Sequence, residues 1–153
     1  MIPVDEYDEV HVISDLHLGG EGDFQIFDAS DELVALIDDL RTRDEGLNIG
    51  LVINGDFVDF LAEDDASCFN PERSVEMLQR IAKAPKFKQI WKALSQFIAT
   101  KNRRLVIVIG NHDLELSLPW VQDELFNLLC DNKPRSRYQI RFIKEKGGYH
   151  RAG

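Results

Sequence analysis

An α/β fold with a largely buried, parallel sheet is what this sequence predicts, on three observations. Short β-branched or apolar runs alternate with segments whose apolar residues recur at helical spacing. Two of the runs, 49–53 and 105–109, are apolar throughout, as expected of strands covered on both faces. The three most apolar runs each stop in a short polar cluster, and ligands of open α/β sheets bind at the carboxyl ends of strands.

The first strand is read over 9–14, where Val10, Val12 and Ile13 lead to a turn at 15–20. Ser30 is a candidate helix cap, with Asp31 and Glu32 in the first turn and Leu33, Leu36, Ile37 and Leu40 on one face; Gly46 marks the exit. The second strand, 49–53, stops at Asn54-Gly55-Asp56. Asn70-Pro71 reads as the next helix start. Pro85 separates that helix from another bearing Phe87, Ile90, Trp91, Leu94, Phe97 and Ile98. The third strand, 105–109, ends at Gly110-Asn111-His112-Asp113. A helix around 120–129 and a strand around 138–143 complete the pattern. The stretch 57–109 is longer than a minimal crossover needs, which makes it a candidate cap over a substrate.

The 153 residues suit one domain, and an apolar fraction of 44% with 29% charged residues is that of a globular protein rather than a disordered one. The N-terminus is acidic and lacks the basic start and apolar stretch of a secretory signal. No apolar run approaches the roughly 20 residues that span a bilayer. The chain is therefore read as cytoplasmic. Its net charge of −9 divides unevenly: residues 1–75 carry 3 basic and 20 acidic side chains, and 76–153 carry 15 and 7. The acidic half disfavours nucleic acid as a general partner, while the basic half suits a phosphorylated one. Cys68 and Cys130 form no Cys-x-x-Cys pair and receive no role.

The chemistry lies in the three polar clusters: Asp15-Leu16-His17, Gly55-Asp56-Phe57-Val58-Asp59 and Gly110-Asn111-His112-Asp113. In neighbouring parallel strands these converge on one edge. Asp15 and His17 can reach one cation from a single turn, Asp56 can bridge two through its two oxygens, and Asn111 adds a neutral amide oxygen. This carboxylate, imidazole and amide mixture suits Mn²⁺, Fe or Zn²⁺ better than a thiolate-selective metal. Gly55 and Gly110 precede the ligands, where a sharp turn is needed. Taken singly, each cluster could be an ordinary surface turn; jointly and in order at three strand ends they read as a metal site. Asp59 and Asp113 are candidates to orient the ligands from behind, Asp113 either by holding His112 or as a helix cap. His11 and His150 are given structural or solvent roles.

These three clusters resemble the pattern of the calcineurin-like metallophosphoesterase superfamily, Asp-x-His, Gly-Asp-x-x-Asp and Gly-Asn-His-Asp/Glu. Ile13-Ser14-Asp15-Leu16-His17-Leu18-Gly19 is also similar to enzymes that hydrolyse UDP-2,3-diacylglucosamine. The resemblance implies a β-sandwich flanked by helices, of which this chain has the N-terminal half. It implies two divalent metal ions, Mn²⁺ foremost, with Asp15 and His17 on one, Asp56 bridging and Asn111 on the other. His112 would be the catalytic residue, acting on the transition state or leaving oxygen. The substrate would be a phosphorylated small molecule or a phosphodiester, attacked by water without a covalent intermediate. The family's later motifs, a histidine beside a glycine and then Gly-His-x-His, do not occur, so the chain is read as a single domain truncated at its C-terminus, or a divergent one. A nuclease of the double-strand-break-repair type and a scaffold that has lost catalysis are the alternatives.

Overall fold

The computed structural model describes residues 6–63, 69–130 and 134–143. Four strands, β1 (Glu9–Ile13), β2 (Ile49–Asn54), β3 (Arg103–Val108) and β4 (Ile140–Ile143), form one parallel sheet in the order β1-β2-β3-β4. Registers run Val12↔Val52, Val52↔Val106 and Val106↔Arg141. The connections carry α1 (Ser30–Thr42), then α2 (Ser74–Lys83) and α3 (Lys88–Ala99), then α4 (Pro119–Cys130) and the single turn α5 (Pro134–Arg137). No helix among the described residues is long and apolar enough to cross a membrane.

The strand order decides where the core lies. Each new strand is added on the same side of the last, and parallel crossovers are right-handed, so successive helices fall on one face of the sheet. On that face Ile49, Leu51, Ile53, Leu105, Ile107 and Ile140 pack with Leu33, Ile37 and Leu40 of α1 and with Ile90, Trp91, Leu94, Phe97 and Ile98 of α3. Among the described residues the other face carries no helical layer: the central strands β2 and β3 are largely buried as expected, and the edge strand β1 is not. Val10 and Val12, alternating with the inward-facing Ile13, are 53% and 61% exposed. Tyr7 covers Gly50 there, where a Cβ would lie 2.8 Å from the tyrosine ring.

Within 57–109, the stretch read as a candidate substrate cap, the two helices pack into the core layer, α3 on α1 and β3 and α2 on α4. Five large apolar side chains of α3 are at most 6% exposed. At about 1.5–3 kcal/mol for each large apolar side chain buried, no open form could leave that face in water. Helix starts also differ from expectation. The first α1 hydrogen bond runs from Leu33 N to Ala29 O, so Ser30 already lies inside the helix and its buried Oγ has no partner. Asn70 sits ahead of a turn, where its Oδ1 accepts from Arg73 N (3.3 Å), and α2 begins at Ser74. Gly46 does mark the exit of α1, its N–H donating to Asp44 Oδ1 (2.8 Å).

Strand β3 starts two residues earlier than the apolar run because Arg103 is fully buried. Its guanidinium donates to Leu40 O (2.8 Å), Arg43 O (2.7 Å), Asp44 O (3.2 Å) and Leu47 O (2.8 Å). One cation thus caps the negative end of α1 from a neighbouring strand and seats the α1–β2 loop.

Candidate metal centre

Because β1, β2 and β3 are parallel and in register, the turns that leave them share one edge of the sheet. Backbone hydrogen bonds zip those turns together. His17 N donates to Asp56 O (2.8 Å), Leu18 N to Phe57 O (3.1 Å), Asp59 N to Leu18 O (2.9 Å), Gly55 N to Val108 O (2.9 Å) and Phe60 N to His112 O (3.1 Å).

The backbone is unusual at three positions. Asp15, His17 and Asp56 have φ of 55°, 46° and 49°, and the only other non-glycine residue with positive φ among those described is Asn102. Left-handed backbone costs a non-glycine residue on the order of 1–3 kcal/mol, and such strain clusters at functional sites. With this backbone the three side chains converge on one another, although Asp15 itself is exposed. Donor atoms of Asp15, His17 and Asp56 all lie within 4.8 Å of one another. Gly55, at φ 86°, makes the sharp entry into Asp56, and Gly110 has no Cβ where the Asp56 carboxylate presses against it.

Asp59 organises the imidazoles. Its Oδ2 lies 2.9 Å from His17 Nδ1 and its Oδ1 lies 3.0 Å from His112 Nδ1, and the two rings meet edge to face with centroids 4.6 Å apart. A His17 that donates Nδ1–H to this carboxylate presents the Nε2 lone pair, which lies 3.7 Å from Asp56 Oδ2. Asp15, His17 and Asp56 therefore offer hard oxygen and imidazole donors at separations that a divalent cation can join. A second triplet, His17, Asp59 and His112, is equally close, but both Asp59 oxygens there are engaged by the imidazoles.

The electrostatics follow from these contacts. Burial pushes Asp59 up, but hydrogen bonds from His112 and His17 outweigh it and hold the carboxyl below the ordinary aspartate value. The hydrogen bond to Asp59 raises His112 above the ordinary histidine value against a smaller opposing effect of burial. Asp113 is pushed up to about 6 by burial, and the amides of Gly110 and Phe57 only partly offset this.

Of the residues singled out in the sequence, Asp15, His17, Asp56, Asp59 and His112 come together in this cluster. Asn111 is exposed in the adjoining turn, and its amide makes no hydrogen bond among the described residues. Asp113 takes the N-cap position of the 3₁₀ turn Leu114–Ser117 through its backbone, Leu116 N donating to its carbonyl (3.0 Å), while its side chain makes no cap bond and accepts instead from Gly110 N and Phe57 N. His11 lies within β1 beside Glu9 (2.9 Å), which also pairs with Arg43, and Cys130 is a buried free thiol. Cys68 and His150 lie outside the described residues. That one carboxylate serves two imidazoles had no sequence signal, since the partners are 42 and 53 residues away.

Carboxylates and imidazoles gathered at the ends of three parallel strands are groups that could hold a divalent cation. The chain belongs to the calcineurin-like phosphoesterase family, whose model matches residues 9–150. The family hydrolyses phosphoesters and uses divalent metals, so its substrates are phosphate esters. No curated protein and no solved structure matches the chain.

Proposed function

We propose that this protein hydrolyses a phosphate ester or phosphoanhydride with water activated by two divalent cations, Mn²⁺ foremost. Asp15 and His17 would hold one cation and Asn111 the other, with Asp56 able to serve both. The observation that carries this reading is the joint placement of Asp15, His17 and Asp56 donors within 4.8 Å on left-handed backbone, beside a histidine held by its own carboxylate.

The cations would supply Lewis-acid activation of water and neutralise charge on the phosphoryl oxygens. The remaining roles belong to the chain. Asp59 accepts from His17 Nδ1 and so keeps His17 Nε2 in the ligating form. It also accepts from His112 Nδ1, which favours the protonated imidazole and leaves Nε2–H to be handed to the leaving oxygen. Water is the nucleophile, so no covalent enzyme intermediate forms.

The decisive variant is Asp56→Asn, because a bridging carboxylate serves both cations whereas Asp15 and Asn111 each serve one. Its hydrolysis of bis(p-nitrophenyl) phosphate is expected to fall to background, with bound Mn²⁺ reduced. Undiminished turnover with two retained metals would overturn the assignment.

A further inference from the structure

Asp113 is fully buried, and both of its oxygens are engaged by backbone amides. Oδ1 accepts from Gly110 N (2.6 Å) and Oδ2 from Phe57 N (2.8 Å). Phe57 follows Asp56 directly; Gly110 immediately precedes Asn111 and His112. The traffic is reciprocal, since His112 N donates to Asp56 Oδ1 (2.9 Å). Each turn thus gives an amide to the other's carboxylate.

We propose that Asp113 is a positioning residue that clamps the turn after β2 to the turn after β3 and thereby sets the Asp56 carboxylate against Gly110 and His112. For its effect on cation binding this inference rests on the functional reading above. Asp113→Asn keeps one acceptor oxygen but sets an NH₂ donor against the Gly110 or Phe57 N–H, and a buried donor left unmet costs about 1–3 kcal/mol. The turns relieve that cost by parting to admit water. Asp56 then leaves the space that a missing Cβ at Gly110 provides for it. Outer hydrogen bonds of this kind hold ligand side chains in register, and their loss typically weakens metal binding about 10–100-fold.

The test uses the full chain as Asp113→Asn, beside Ile37→Val, a core change in α1 remote from the strand ends, with thermal melts recorded for both. In the metal-free protein, amide exchange is read at Phe57, Gly110 and His112. In Asp113→Asn the His112 amide, which Asp113 does not touch, is expected to exchange faster together with the other two, and Mn²⁺ binding to weaken about 10–100-fold. Ile37→Val should leave both at wild-type levels per unit of lost stability. A protected His112 amide in Asp113→Asn, or Mn²⁺ affinity within about twofold of wild type, would overturn the clamp. If the wild-type chain binds no Mn²⁺, the metal reading fails while the exchange arm still decides the clamp. Should Asp113→Asn not fold, native-state exchange of the wild-type chain in mild denaturant replaces it. A clamp requires Phe57, Gly110 and His112 to open as one unit, and independent opening of His112 would refute it.

Discussion

His112 and Asp59 form the pair whose protonation the cluster controls most directly. In the metal-free protein His112 is expected to titrate above the ordinary value of 6.5, and Asp59→Asn to lower it, as read from the imidazole NMR signals against pH. The pair stabilises the folded state within a pH window. The His112 contribution is full below 6.5 and is lost as pH rises through the raised folded pKa. The Asp59 contribution is full above 3.8 and is lost as pH falls through the depressed folded pKa. Thermal melts from pH 6 to 8 should therefore fall more in the wild-type chain than in Asp59→Asn. His112→Ala is expected to cut turnover about 10²–10⁴-fold, the usual yield of a general acid, while Mn²⁺ content stays near wild type. Equal loss of metal and activity would instead make His112 a ligand.

At the scale of elements, the apolar periodicity of α1, α3 and α4 was legible because each buries a continuous face, and the three motif turns because they interrupt apolar strands. Arg103 was not legible, since an arginine beside Asn102 and Arg104 reads as a solvated strand entry. Only the packing of α1 against the sheet places the carbonyls of Leu40, Arg43, Asp44 and Leu47 within reach of its guanidinium. Arg103→Met keeps much of the volume but leaves those carbonyls without a donor. It is expected to destabilise the chain by at least about 1–3 kcal/mol, the cost of a buried acceptor left without its donor. Urea melts should show a lower midpoint with an unchanged slope. A shift of less than about 0.5 kcal/mol, the size of an ordinary surface substitution, would mean that water replaces the guanidinium there.

For the whole molecule, the ligands come from three turns that meet only when the sheet has formed, so cation binding and folding are linked. Mn²⁺ at a hundredfold excess over its Kd is expected to stabilise the chain by about 2.7 kcal/mol, seen as a rise in Tm that Asp15→Asn removes. Asp15, His17 and Asp56 give one proposed cation three donors, whereas Asp56 and Asn111 give the other two. Mn²⁺ titration should accordingly resolve one tighter and one weak site, and two equally tight ions would show that another residue completes the second.

Composition, periodicity and spacing by themselves determined the alternation of strands and helices and the three polar turns with their chemistry. Those features are local: a buried strand must be apolar, and a turn bearing ligands must break it. The tertiary structure alone decided the rest, because the partners are far apart in sequence. It put every crossover helix on one face and left Val10 and Val12 exposed, since all four strands run in order with one hand of crossover. It drew α2 and α3 into the core, α3 burying its apolar face against α1 and β3 and α2 packing on α4. It also turned Asp59 toward two imidazoles and Asp113 toward the amides of two turns. A carboxylate's partner is whatever donor the fold brings within about 3 Å, and no pattern along the chain specifies that donor.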